Sequence, residues 1–343
     1  MNNHIRILLA GGYWATNIGN AFYELGARYL LTHLEKDIEL CLASDFARFY
    51  WGNYVAGRDN FEPIQHSFSE EMDYLIWMGP VFAIDAQDVW DEPLRRANEN
   101  GVKVVFLSVG GNTYTEEEIE KCRKVLKKYK PFALLSRDTE TYQAYADCFQ
   151  YSYDGICTAF WSPLCFHPWK IEVPPYVVYD FESHTEPSFV PNEIGFSFGG
   201  QQWKENRKPK RMNNIRAAFT YNNEKKAFVD YTIVRAKNTC MPPFLGKYRE
   251  SNVYLSDHPE DYLNLYKNAT AVFSDRVHAC VGALAQGIPA MFYGETSRAN
   301  LFKRVLRDNA DKIYSCPTKV DLSYVQSERE KEKNFLKMIL SEG

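Results

Sequence analysis

Val102-Lys-Val-Val-Phe-Leu-Ser-Val-Gly-Gly111, followed by Thr115-Glu-Glu-Glu118, is the stretch from which the fold is read. Residues 102–109 are continuously apolar apart from Lys103 and Ser108, as a strand buried on both faces must be, and the run stops at Gly110-Gly111. Thr115 and Glu118 then open a helix with a capping-box pattern, its apolar face carried by Ile119, Val125 and Leu126. Strand, glycine turn and amphipathic helix recur on either side. Residues 5–10 end at Gly11-Gly12, and Phe22, Leu25, Tyr29, Leu30 and Leu34 mark a helix over 20–34. Residues 38–43, 74–78 (breaking at Gly79-Pro80) and 132–135 read as further strands, and a helix follows Arg137-Asp138. From about 157 to 191 the alternation lapses into Pro and aromatic residues, which reads as a connection between domains. It resumes with strands over 194–198, 227–234, 253–255, 271–274 and 288–293, and a charged amphipathic helix spans 323–340. The expected fold class is α/β, with two doubly wound, Rossmann-like domains facing a cleft. The first covers 1–165, a connection 166–192, the second 193–322, and the terminal helix 323–343.

The 343 residues suit two domains of ordinary size. Forty Lys plus Arg against 44 Asp plus Glu leave a formal charge of −4, which excludes nucleic-acid binding by bulk charge. No apolar run approaches the roughly 20 residues of a bilayer span, and the N-terminus lacks the pattern of a signal peptide. The expected location is cytoplasmic. Eight cysteines without a C-x-x-C pair read as reduced packing residues, not a disulfide frame or zinc site. His4, His33, His66, His167 and His184 have no metal-ligand spacing, so no metal is expected. Aromatic residues make up 15% of the chain, which fits either sugar-stacking surfaces or a Phe/Tyr-rich core.

The chemistry concentrates in Ala271-Val-Phe-Ser-Asp-Arg-Val-His-Ala-Cys280, continuing to Gly287-Ile-Pro289. A strand ends at Ser274-Asp275-Arg276 and a helix begins near His278. Two residues apart at such a turn, Arg276 and His278 are placed to face a ligand at a helix N-terminus, which favours anions through free N–H groups and the helix dipole. Guanidinium grips phosphate or carboxylate through paired hydrogen bonds, and imidazole exchanges a proton near neutral pH. A surface Arg beside a core His would give the same spacing.

These residues resemble a known family. Ser-Asp-Arg-Val-His-Ala, Ala283-Leu284 and Gly287-Ile-Pro289 are similar to the C-terminal signature of the polysaccharide pyruvyl transferases. Asn17-Ile-Gly19-Asn20 resembles the family's Asn-x-Gly-Asp turn, Ser136-Arg137-Asp138-Thr139 its Ser-x-Arg-Asp segment, and Asp154 the Asp that closes its first domain. His258-Pro-Glu-Asp-Tyr262 resembles the short helix before the Arg-x-His strand. The resemblance implies a two-domain GT-B-like fold and transfer of pyruvyl from phosphoenolpyruvate to a sugar. The product would be a cyclic ketal on a surface glycan of the exopolysaccharide, capsule or cell-wall kind, or on its precursor. It implies donor binding by Arg137, Arg276 and Arg298, with His278 as general acid and Arg276 as its catalytic companion. Asn17, Gly19, Asn20, Gly110 and Gly111 would meet the acceptor. No cofactor is implied, phosphoenolpyruvate being a co-substrate. Asn20 stands where the family has Asp, and Arg298 where it has Lys, which keeps an anion contact but removes a neutral base. Two other readings stay open: a GT-B glycosyltransferase using a nucleotide sugar, and a glycan-binding relative without turnover.

Other features carry paired readings. Gly110-Gly111-Asn112 offers either backbone N–H groups to a ligand or a plain turn. Gly199-Gly200-Gln-Gln-Trp203 is either a sugar contact or a strand-to-loop turn. Six basic residues between Lys204 and Arg216 read as a solvated loop or as a peripheral contact with anionic lipid at the cytoplasmic membrane, useful if the acceptor is lipid-linked. Acceptor identity, ketal stereochemistry and oligomeric state have no signature in the chain.

Overall fold

The computed structural model describes residues 4–12, 17–44, 71–184, 186–205, 227–228, 230–237 and 252–342. The basic stretch from 206 to 216 and His66 lie outside the described residues, as does Cys240; the seven described cysteines are free thiols.

The first sheet is β1 (Ile5–Gly11), β2 (Ile38–Ser44), β3 (Tyr74–Phe82), β4 (Lys103–Gly111), β5 (Ala133–Ser136) and β6 (Tyr151–Asp154), in the order β2-β1-β3-β4-β5-β6. All five pairings are parallel. Its crossovers use α1 (Gly19–Thr32), α2 (Ala86–Glu99), α3 (Glu116–Tyr129) and α4 (Thr139–Tyr145). The order reverses between β1 and β3, and a ligand crevice opens at the carboxyl ends beside such a switch point. β3 runs on through Gly79-Pro80, against the expected break: Gly79 at φ +94° absorbs a register shift and the strand resumes to Phe82. The α3 cap is as expected in part. Thr115 accepts from the Glu118 amide, but the Glu118 carboxylate turns back to the amides of Asn112, Thr113 and Tyr114 and ties down the loop after β4.

A short helix, α5 (Ser162–Cys165), leads to the second sheet. Its path is β10-β11-β7-β13-β14, formed by β7 (Tyr176–Asp180), β10 (Ala227–Phe228), β11 (Tyr231–Lys237), β13 (Ala271–Ser274) and β14 (Ala290–Phe292), with β12 (Val253–Leu255) beside β11. The stretch read as a connection over 166–192 thus holds the central strand of this sheet. β7 pairs in parallel with both β11 and β13, and its Val177 and Val178 are fully buried. Prolines on either side mask a strand whose burial is decided by partners about 55 and 95 residues away. The strand expected over 227–234 is instead an antiparallel pair, β10 and β11. β8 (Phe189–Phe198) and β9 (Gln201–Glu205) form a separate hairpin. Gly199 and Gly200 both have positive φ, the requirement of its tight two-residue turn, and Trp203 is buried with its indole N–H donated to Phe198 O. Gly199-Gly200 is thus the turn, and the Trp203 indole is a packing group of β9.

The helices α6 (Pro259–Asn268), α7 (Val277–Leu284) and α8 (Leu301–Leu306) cover the second sheet, and α9 (Leu322–Ile339) returns to the first domain. There Glu332 accepts the Ile156 amide, Arg329 donates to Phe160 O, and Phe335 stacks on Tyr153. One apolar cluster runs through both domains, from Phe22 on α1 to Tyr266 on α6, edge to face. Gly26 lets α1 approach the turn Thr158–Trp161, since a Cβ there would sit 1.7 Å from Thr158 O. The aromatic residues serve packing first: Trp77, Trp90, Phe82, Phe106 and Tyr145 form one buried cluster under the first sheet. Among the described residues no helix is long and apolar enough to cross a membrane.

Candidate active site

The carboxyl ends of both sheets meet, and the residues of interest lie there. β13 ends at Ser274, whose hydroxyl donates to Asp180 O at the end of β7 and accepts the Arg276 amide. Asp275 is turned away from the cleft. Its carboxylate receives the amides of Glu182, Ser183 and His184 and faces the His184 ring at 3.2 Å, so it shapes the loop after β7. Arg276, freed by these anchors, caps α7 with its backbone and pairs with Glu182 at 3.0 Å. In the first turn of that helix, His278 faces the first domain.

Several residues of that domain close around it. A Cβ on Gly19, at the start of α1, would stand 2.9 Å from the Cβ of His278, so glycine there permits the approach. The Tyr23 ring lies 5.3 Å from the imidazole, its hydroxyl beside Gly12, just past β1, and Gly79, at the irregularity in β3. Cys157 Sγ lies 3.7 Å from Nε2 of His278. The charges of Arg137, Arg276 and Arg298 all act on His278; with burial they hold the imidazole well below its ordinary pKa, burial being the largest cause. The ring is neutral in the free protein at neutral pH.

Arg137 is the unusual member. It follows β5, is 1% exposed, and neither Nε nor Nη2 has a hydrogen-bond partner among the described residues. Its nearest carboxylate, Asp138, stays 3.9 Å away while capping α4 through the Thr141 amide. Gly110 makes room for the guanidinium: a Cβ there would fall 2.5 Å from Arg137 Nε. A buried cation with donors to spare is costly unless an anion completes it.

The structure brings His278, Arg276, Arg137 and Arg298 together, with Gly19 and Gly110 as spacers. Asn17 has a local task, accepting the Gly19 amide and donating to Asn20 Oδ1 at 3.4 Å. The Gly111 amide is engaged by Tyr114 and Thr141, and the Asn112 amide by Glu118, so these two N–H groups are not offered to a ligand. Asp154 lies outside the site, accepting from Thr139 and Arg304. Sequence reasoning missed Tyr23, Cys157 and Ser108; only the Gly-rich strand ends around them were a signal. No group of His, Cys, Asp and Glu among the described residues is arranged to hold a metal ion.

Two parallel-sheet domains meeting at their carboxyl ends define a GT-B-like α/β protein with a cationic site in the cleft. The fold is shared by UDP-N-acetylglucosamine 2-epimerase from Rickettsia bellii, with TM-score 0.51 and 10% identity over 99% of this chain and 98% of that one. The UDP-GlcNAc 2-epimerase from Methanocaldococcus jannaschii matches with TM-score 0.50 and 10% identity over 98% and 99%. No curated protein matches the chain in sequence. The family model for polysaccharide pyruvyl transferase matches residues 17–297, and the chain belongs to that family.

Proposed function

We propose that this protein transfers the pyruvyl group of phosphoenolpyruvate to a sugar of a surface glycan or its precursor, forming a cyclic ketal and releasing phosphate. The observation that carries the reading is the set of three arginines from both domains around one histidine, the buried Arg137 having donors without a partner among the described residues. Phosphoenolpyruvate brings a phosphate and a carboxylate, two anionic groups for which guanidinium forks are suited. His278 gives a proton to the CH2 carbon of the enol, and the oxocarbenium at the neighbouring carbon is attacked by the first sugar hydroxyl. The proton of that hydroxyl returns to His278. The carbon–oxygen bond to phosphate then breaks, the second hydroxyl closes the ring, and its proton leaves with the phosphate. The epimerases of similar fold act on a UDP-sugar, which keeps a nucleotide-sugar donor as the competing reading.

Calorimetry decides between them. Phosphoenolpyruvate is expected to bind the wild type and to lose at least tenfold in affinity in Arg276→Ala and Arg137→Ala, while UDP-sugars bind none of the three. Binding of UDP-sugars in preference to phosphoenolpyruvate overturns the proposal.

A further inference from the structure

Ser108 interrupts β4. The ladders to β3 and β5 both slip at this residue, which stands between Leu107 and Val109 without a partner on either side. Its φ of +57° is a left-handed backbone that disfavours any residue with a Cβ. Such bulges re-aim a side chain. Here the hydroxyl is turned to a fully buried place behind the site, where it accepts the Thr158 amide at 3.0 Å and faces Cys157 Sγ at 3.4 Å.

The direction of this chain of hydrogen bonds follows from its first member. A backbone amide only donates, so Ser108 Oγ is the acceptor at Thr158, and its single hydrogen goes to the sulfur. The thiol's own hydrogen is left for Nε2 of His278, 3.7 Å away. Burial raises the Cys157 thiol above its ordinary pKa and lowers that of the imidazole, so a neutral thiol meets a neutral ring, not a thiolate an imidazolium.

We propose that Cys157 is a positioning residue whose S–H, aimed by the bulged Ser108, holds Nε2 of His278 as an acceptor and so puts the ring proton on Nδ1, the nitrogen with no hydrogen-bond partner among the described residues. A neutral imidazole carries one N–H, and whichever nitrogen is held as acceptor decides where it sits. In the free protein Nδ1 then carries the proton; a proton taken up with an anionic ligand enters at Nε2, where the sulfur becomes its acceptor, and Nδ1 is the nitrogen from which the charged ring acts. The consequence for turnover rests on His278 being the acid of the proposed reaction; the tautomer itself does not.

The test is therefore made on the free protein first. With 15N-labelled histidine, the His278 signals are those lost in His278→Gln. At pH 7.5 the wild type is expected to show a protonated Nδ1 and an unprotonated Nε2, with Cys157→Ser retaining this pattern. Cys157→Ala and Ser108→Ala are expected to shift it toward protonated Nε2. Ser108→Gly, which relaxes the backbone while removing the hydroxyl, is expected to shift it likewise, separating the hydrogen bond from the strain. In turnover, Cys157→Ala is expected to lower kcat about tenfold, the scale of lost orienting partners at other histidine sites, with KM for phosphoenolpyruvate within twofold and most of kcat regained in Cys157→Ser. Protonated Nε2 in the wild type, or an unchanged spectrum in a folded Cys157→Ala, overturns the proposal. Should Cys157→Ala not fold, Cys157→Ser and Ser108→Ala decide it. Wild-type turnover in His278→Gln instead removes the functional reading, and the spectra still decide the tautomer.

Discussion

Filling the arginine site with an anion is expected to charge His278. In the free protein, burial and three guanidinium groups hold the imidazole neutral well below its ordinary pKa of 6.5. A donor bearing a phosphate and a carboxylate places negative charge among those arginines and removes their penalty on the imidazolium, so the pKa rises on binding. The sign follows from linkage: the complex binds more protons than the free protein, so donor affinity falls as pH rises between the free and bound pKa values. The slope there approaches one proton, which is tenfold in affinity or about 1.4 kcal/mol per pH unit. Calorimetry at pH 7.5 in buffers of different ionisation enthalpy counts the protons directly. Wild type is expected to take up more protons per phosphoenolpyruvate than His278→Gln does. A phosphomonoester titrates near pH 6, so the ligand's own share is whatever survives in His278→Gln. Equal proton uptake in wild type and His278→Gln would show that the imidazole does not sense the anion and would refute the electrostatic argument.

Gly110→Ala puts a Cβ 2.5 Å from Arg137 Nε and should displace the guanidinium, weakening phosphoenolpyruvate binding tenfold or more in calorimetry while leaving the far-ultraviolet circular dichroism intact. Gly26→Ala puts a Cβ 1.7 Å from the backbone oxygen of Thr158, which has no flexible end to move away. It should destabilise the fold by about 3 kcal/mol or more in urea unfolding, the upper range of overpacking costs. Glu332, fully buried on the inner face of α9, has its pKa pushed up from 4.5 to about 8, by burial first. A raised carboxyl favours the folded state below 4.5 and loses that advantage as pH climbs to about 8, several kcal/mol at about 1.4 per pH unit. The unfolding free energy of Glu332→Gln should therefore fall less than that of the wild type between pH 5 and 8.5, and parallel curves would count against the assignment.

Much of this protein is legible along the chain because local patterns carry it. A continuous apolar run ended by glycine reads as a parallel strand wherever it falls, and β1, β2, β4 and β13 follow the residues expected of them to within a residue or two at each end. Arg276 and His278 are legible for the same reason, since a strand-to-helix turn holds residues two apart near one another. β7 was hidden. Its five residues differ little from the apolar, proline-flanked segments around them, and only pairing with β11 and β13 makes it the centre of a sheet.

The sequence by itself determined the α/β class, two domains, the Arg-x-His turn and the family resemblance, which rest on chain length and on short local motifs met in order along the chain. Tertiary structure alone decided that Arg137 stands beside Gly110 with donors lacking a partner among the described residues, that the Gly111 amide is already engaged, and that Cys157, 121 positions from His278, touches its ring. The same holds for Ser108, whose left-handed backbone no propensity would assign to a serine inside an apolar strand. The physical reason is range. Backbone hydrogen bonding and apolar periodicity are set by near neighbours. Charge, burial and proton position depend on which distant segments a fold presses together, and no spacing along the chain encodes that distance.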